Sequence, residues 1–479
     1  MTNHYPLMIP RAKSTDGKLD VFAPFDRSLI ATADTADAAA IETALSTADS
    51  LYRNKQAWLS VPERIEILER AAEIMQQRFD ELAIEAAREG GKPLNDSKVE
   101  VARAIDGMKL CIESLRTETG DVIPMGINAA SMGRIAFTRA EPIGVVVAVS
   151  AFNHPLNLIV HQVAPAIATG CPVIVKPSGE TPLSCFRFVE IMREAGLPEE
   201  WCQAATIKDR NVSTSLVTDS RVGFFSFIGS AQVGWMLHSK LAPGARAALE
   251  HGGVAPVIVE QDADLEDCIP LLAKGGFYHA GQVCVSVQRI YAHESIAETV
   301  AERIVTEAGK MSVGDPTLAE TDIGPLINPG EVERIHEWVT EAVEAGAKLL
   351  CGGKKLSDTC YAPTVLVNPP DDVLVSTGEV FGPVVCVYSY SDTEEAIARA
   401  NALPVSFQAA VFTKNIDKAL EAYAGLNASA VMVNDHTAFR VDWMPFAGLK
   451  TSGLGIGGIP HTMHDMQIQK MMVIRSPQI

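Results

Sequence analysis

The sequence predicts an α/β fold built on a doubly wound parallel sheet, and three observations carry that expectation. GVVVAVSAF (144–152) is an unbroken apolar, β-branched run, as expected of a strand buried on both faces. A helical segment over about 155–170 separates it from a second such run, PVIVKPS (172–178), followed by a helix over about 182–195. The alternation continues through QAATI (203–207) and GFFSFIGS (223–230). Strands alternating with helices over this length imply parallel strands joined by crossovers.

Upstream, residues 60–90 read as a single helix. Ser60 and Glu63 have capping-box spacing around Pro62, and Ile65, Leu68, Ala72, Met75, Phe79, Leu82 and Ala86 recur in steps of three and four until Gly90-Gly91. A second helix runs through SKVEVARAIDGMKLCIESLRTE (97–118), and GINAASMGRIAFTRAEPIG (126–144) reads as turns and exposed strands. After Glu250 a second α/β region places strands at APVIVE (255–260), VSVQRIYAH (285–293) and PVVCVYSY (383–390), with helices over 295–310 and 331–346. No repeat, low-complexity tract or linker marks a boundary, so the division near 250 rests on topology.

Composition narrows the function. The chain has 479 residues, 47% hydrophobic and 21% charged, enough for two or three domains with sizeable cores. A net charge of −19 without a basic patch argues against nucleic acid as a partner. No apolar run reaches the roughly 18–20 residues of a membrane helix, and the first residues lack the basic-then-apolar pattern of a secretory signal. Nine cysteines, odd in number and without a C-x-x-C pair, fit neither a disulfide framework nor a structural metal site. No metal is expected, and the cytoplasm is the expected compartment.

Five short stretches could carry chemistry. FIGSAQVG sets Gly229 and Gly234 after a strand, either to bring backbone N–H groups to a pyrophosphate or to make a tight turn. Lys176 ends a central strand, where it could bond ribose hydroxyls or point to solvent. Asn153 follows another such strand and is either an oxyanion donor or a turn residue. Glu250, before Gly252-Gly253, is either a general base or a surface carboxylate. Cys284, in GQVCVSVQRI, is either a packed thiol or a nucleophile at a loop end.

Their order resolves these alternatives. SAFNHPLNL, VIVKPSGETPLS, FSFIGSAQVG, ALEHGG, GQVCVSVQRI, EVFGPVV, MVND and MPFAGLKTSGLG occur in the order of the aldehyde dehydrogenase superfamily, which the sequence resembles over nearly its whole length. The resemblance implies a variant Rossmann cofactor domain (1–118 and 142–250), an α/β catalytic domain (251–450) and a small β oligomerisation flap (119–141 and 451–479), in a homodimer or homotetramer. It implies Cys284 as nucleophile, Asn153 as oxyanion donor and Glu250 as general base. Ser150, Phe152, Lys176, Ser178, Gly179, Gly229, Ser230, Gly234, Glu379 and Phe381 fall on positions that contact NAD or NADP.

The implied chemistry oxidises an aldehyde to its acid. Addition of the Cys284 thiolate turns an electron-poor carbonyl carbon into one that can release hydride, and the resulting thioester is hydrolysed by water that Glu250 activates. Relatives that pass the acyl group to coenzyme A generally lack a glutamate at position 250. A coenzyme A-acylating semialdehyde dehydrogenase, or a silent relative serving as a binding protein, is therefore the alternative. Gly179 stands where many NAD-preferring relatives carry a ribose-binding glutamate, which leaves NAD and NADP both open. Arg103, His154 and Arg440 match positions that phosphoaldehyde- and phosphonoaldehyde-oxidising relatives use for an anionic tail. The VSVQRI and FRVDWMPF wording also resembles lactaldehyde dehydrogenase-like members. A small polar or anionic aldehyde is the expected substrate. Val283, His251 and Val254 depart from the pattern around the site.

Overall fold

Two large open sheets form the body of the computed structural model, which describes residues 3–13 and 15–479. The first has six strands in the order Gly453–Leu454, Arg246–Glu250, Val222–Ile228, Val145–Val149, Val173–Lys176, Cys202–Ala204, all parallel except the short edge strand Gly453–Leu454. Its central strands have two apolar faces. Val146, Ala148, Val173 and Val175 join a core with the helices Leu94–Thr117, Asn157–Thr169 and Leu183–Glu194. Val145, Val147, Ile174 and Phe225 join a second core with Ile41 and Leu45 of the helix Ala38–Arg53. Alternate residues of each strand thus enter opposite cores, which is why the runs are continuously apolar.

The second sheet has seven strands in the order Lys348–Cys351, Thr364–Val367, Val384–Tyr390, Val287–His293, Ala255–Val259, Gln408–Phe412, Ala430–Val433, with only the first pair antiparallel. A separate three-stranded sheet pairs Arg134–Pro142 with Gln467–Arg475 over nine residues and with Val122–Ile123. Val122, Met471, Met472 and Val473 of this flap are exposed.

Two expectations need correction. Residues 60–90 form two helices, Val61–Gln77 and Phe79–Gly90, broken at Arg78 (φ −102°, ψ 22°). The capping box of Ser60 and Glu63 is present. The apolar period runs through the break because Leu68, Met75 and Leu82 all pack into one core, while Arg78 at the bend binds Glu194 at 2.7 Å. Residues 451–479 do not stay together in the flap. Gly453–Leu454 pairs with the Arg246–Glu250 strand, Ile459 and Met463 of the helix Ile459–Asp465 enter the first core, and only Gln467–Arg475 reaches the flap. The helix expected over about 155–170 is present as Asn157–Thr169. Glu100, on the helix Leu94–Thr117, accepts from the N–H groups of Leu156 and Asn157 at 2.9 Å each and so caps this start from outside. The other Glu100 oxygen accepts from the buried Lys92 Nζ at 2.6 Å.

The carboxyl ends of the first sheet's strands and the amino ends of the second sheet's strands border the same cavity. Residues 251–254, between Arg246–Glu250 and Ala255–Val259, carry the chain from one sheet to the other.

Candidate active site

That cavity has a volume of about 550 Å³, and every site residue expected from the sequence lines it except Gly234. Gly234 lies beneath the His251 ring: a Cβ there would overlap the imidazole, so the glycine makes room for a side chain and is not part of the cavity wall. His251, one of the departures noted above, fills that room and bonds the Gly229 carbonyl through Nδ1 at 2.8 Å.

Cys284 sits in a turn just before the strand Val287–His293. The approach is unusual, since His279, Ala280 and Gly281 have consecutive positive φ values of 48°, 52° and 69°. Left-handed backbone at a non-glycine residue costs on the order of 1–3 kcal/mol and persists only where the surroundings enforce it. Here Gln282 enforces it: its Nε2 donates to the carbonyls of His279 (3.3 Å) and Pro325 (3.2 Å), and its Oε1 accepts from Ile327 N–H at 3.0 Å. The Gln282 carbonyl accepts from Asn153 Nδ2 at 2.9 Å, fixing the amide beside the cysteine turn. Gly253 N–H donates to the Cys284 carbonyl at 3.2 Å and ties the crossing segment to the same turn.

Burial pushes the Cys284 thiol up to about 12, with Glu379 and Glu250 adding to the rise and Arg440 opposing it. Iodoacetamide should alkylate Cys284 slowly at pH 7, with a rate constant that rises about tenfold per pH unit to pH 10. A plateau below pH 9, followed by mass spectrometry of the labelled peptide, would contradict this.

Glu250 is raised above the usual carboxylate range by burial, which Arg440 opposes. Its carboxylate lies over Gly457, where any Cβ would overlap Oε1. Gly457 is held by paired backbone bonds with Phe446, at 3.0 and 2.6 Å.

The three residues expected for the substrate's tail behave differently. Arg103 is already forked onto Asp442, with Nε to Oδ2 at 3.0 Å and Nη2 to Oδ1 at 2.6 Å. Arg440 has no hydrogen-bonded carboxylate: its Nε stands 3.9 Å from Asp442, and its guanidinium lies over the Phe446 ring at 3.6 Å. His154 is held neutral, its pKa driven well below the ordinary range by burial and the nearby cations Lys92, Arg103 and Arg440.

Toward the first sheet, Lys176 ends its strand with its pKa lowered by burial. A Cβ at Gly179 would make only an ordinary contact with Leu19 Cδ2 at 3.9 Å. Glu180 does not line the cavity, and its carboxylate faces Asn328 at 3.5 Å. Ser230 precedes the helix Ala231–His238, whose first turn has no side-chain cap. Glu379 is pushed up to about 8 by burial, and its Oε1 has no partner. Phe381, at φ 48°, stacks edge-on with Phe152 at 5.8 Å.

Comparison with known proteins gives this geometry a lineage. The model of the aldehyde dehydrogenase family matches residues 11–472. The chain belongs to the aldehyde dehydrogenase family. This aldehyde dehydrogenase is 36% identical over 462 residues to the 3-sulfolactaldehyde dehydrogenase of Priestia megaterium, covering 96% of each chain. It is 36% identical over 460 residues to the lactaldehyde dehydrogenase of Methanocaldococcus jannaschii, covering 95% of this chain and 97% of the relative. Among solved structures, glyceraldehyde-3-phosphate dehydrogenase GapN from M. jannaschii, complexed with NADP, superposes with a TM-score of 0.92 at 35% identity, covering 97% of this chain and 100% of that one.

NAD or NADP is the cofactor of this aldehyde dehydrogenase. The cavity suits such a dinucleotide by its own chemistry. The uncapped helix start at Ser230 offers N–H groups to a pyrophosphate. The orphaned Glu379 Oε1 and the buried, unpartnered Ser150 Oγ await partners, as a polyhydroxylated ligand would supply. In the aldehyde dehydrogenase's site the sequence reading overlooked Gln282, His161, Asp442 and Gly457. Gln282 stands in the GQVC motif and Asp442 in FRVDWMPF, so both were in view, but nothing local marked their partners.

Proposed function

We propose that this aldehyde dehydrogenase oxidises a small aldehyde with a polar or anionic tail to the carboxylic acid, with Cys284 as nucleophile, Asn153 as oxyanion donor and Glu250 as base. The observation that supports this most is the convergence on one cavity of a thiol, an anchored amide, a buried carboxylate and a guanidinium without a hydrogen-bonded carboxylate.

The Cys284 thiol gives up its proton to solvent, its Sγ adds as the thiolate to the carbonyl carbon, and the carbonyl oxygen becomes an alkoxide. One Asn153 N–H is spent on the Gln282 carbonyl; the other, with the Cys284 backbone N–H, meets that alkoxide. Losing one such donor costs about 2.7–4 kcal/mol in the transition state. The alkoxide re-forms the carbonyl as hydride leaves the carbon, which gives a thioester on Cys284; a bound nicotinamide dinucleotide would supply the hydride acceptor. Glu250, its pKa raised by burial, then removes a proton from the water that attacks the thioester. Water and the oxidised cofactor are the only co-reactants, so the acid forms without coenzyme A.

Glu379 would hold the nicotinamide ribose and Lys176 and Ser178 the adenosine ribose, and Gly179, with no carboxylate, would leave either a hydroxyl or a 2′-phosphate acceptable there. The long pairing of Arg134–Pro142 with Gln467–Arg475 and its exposed apolar residues support a homodimer or homotetramer built through the flap. No helix among the described residues is long and apolar enough to cross a membrane, and nine free thiols support a reducing, cytoplasmic setting.

A panel of aldehydes scored by reduced-nicotinamide absorbance tests this reading. Arg440→Ala should lower kcat/KM for anionic aldehydes about 10–100-fold, the worth of a charged hydrogen bond, and change neutral ones only a few-fold. Equal turnover of long-chain or aromatic aldehydes, with no loss in the variant, would refute it.

A further inference from the structure

Resting on the reading of an anionic tail held at Arg440, we propose that Asp442 sets the charge the site accepts, so that a tail with a single negative charge, a carboxylate or sulfonate, is preferred to a phosphate dianion.

The argument is a census of the charges at this end of the cavity. Arg103 is neutralised by Asp442 through two hydrogen bonds, at 3.0 and 2.6 Å. Those bonds occupy Nε and one Nη, the fork a second anion would need. Lys92, beneath, is neutralised by Glu100 at 2.6 Å. His154 and His161 are both shifted toward the neutral form by burial. Arg440 feels Glu250 and stands 3.9 Å from Asp442, but it is hydrogen-bonded to neither, and its buried Nε has no partner, so it is the one guanidinium at this end whose fork is open to a tail.

Asp442 also fixes where that cation stands. Burial alone would raise its carboxyl pKa, but hydrogen bonds from His161 and Arg103 and the charge of Arg103 hold it well below the usual range, so it is ionised. His161 Nε2 donates to Asp442 Oδ1 at 2.8 Å, which leaves Nδ1 to accept from Arg440 Nη2 at 3.4 Å. Phe446 supports the other face of the guanidinium. One planar guanidinium matches two oxygens of one anionic group and compensates one charge. A second negative charge brought into this buried end would meet ionised Asp442 and no free cation, and a buried charge without a partner is strongly disfavoured.

Asp442 is therefore a positioning residue, and its signature is a ratio between substrates. Aldehydes of one carbon length ending in carboxylate, sulfonate, phosphate or hydroxyl are compared by kcat/KM. At pH 7.5 the native enzyme should favour the carboxylate or sulfonate over the phosphate by about tenfold or more. Asp442→Asn, which releases Arg103 while keeping the shape, should shift the phosphate-to-sulfonate ratio about tenfold toward phosphate. Should that variant fail to fold, the native enzyme gives an independent reading. Below the second phosphate pKa of about 6 the phosphate tail becomes a monoanion, and the same ratio should rise as pH falls from 7.5 to 5.5, with the enzyme's own titration cancelling. A phosphate preference at pH 7.5 that answers neither to pH nor to Asp442→Asn overturns the inference alone. Preference for the hydroxyl tail over all three anions, unchanged in Arg440→Ala, overturns the anionic reading beneath it.

Discussion

Cys284→Ala is expected to lower kcat by about 10⁴-fold or more while dinucleotide affinity stays within a few-fold. No other thiol can take its place. Of the nine cysteines, Cys284 alone lines the cavity. Cys111, Cys185, Cys202 and Cys386 are buried in the cores, with burial holding all four thiols above their ordinary range. Steady-state absorbance of the reduced nicotinamide measures the loss, and quenching of protein fluorescence by the dinucleotide checks that the cavity is intact. Cys284→Ser gives a finer reading, since a serine hydroxyl presented in the same turn is a far weaker nucleophile at neutral pH. Turnover persisting in either variant would remove covalent catalysis from the account.

Glu250→Gln should separate the two halves of the reaction. Attack and oxidation need the thiol and the amide, so the variant is expected to release about one equivalent of reduced nicotinamide per site in a rapid burst. Hydrolysis needs a base, and steady-state acid production should fall about 10²–10⁴-fold. Intact-mass spectrometry after the burst should find the acyl group on Cys284. Glutamine preserves the packing over Gly457 and removes only basicity, so a change in folding cannot imitate the result. Full steady-state turnover without coenzyme A in this variant would assign the base elsewhere.

Much of the scaffold was written locally. The run Val145–Val149 is apolar throughout and Val173–Lys176 at every position but the last because both faces are buried, and that pattern survives without any knowledge of neighbours. The edge strand Ala430–Val433 and its neighbour Gln408–Phe412 escaped notice, being short and alanine-containing. The split at Arg78 escaped too, since both helices feed one core and the apolar period continues across the bend. For the site, the rule that ligands gather at the carboxyl ends of parallel strands reaches Asn153, Lys176, Gly229 and Glu250. It says nothing of Cys284 and Glu379, which precede strands of the second sheet. The pairing of Arg103 with Asp442 spans 339 residues, and no local pattern could reveal that the arginine was already engaged.

The empty Cα of Gly457 beneath Glu250 constrains how such a protein can diverge. A Cβ at 457 overlaps the carboxylate and meets the Phe446 carbonyl oxygen at 3.0 Å, so bulk there requires that position 250 be shortened or its carboxylate turned aside and that the loop at Phe446 give slightly. The two positions are thus epistatic, and the order of substitution matters. Gly457→Ala should be tolerated better in a Glu250→Ala background than alone, so descendants that acquire bulk at 457 would have passed through forms that had already surrendered, or relocated, their hydrolytic base.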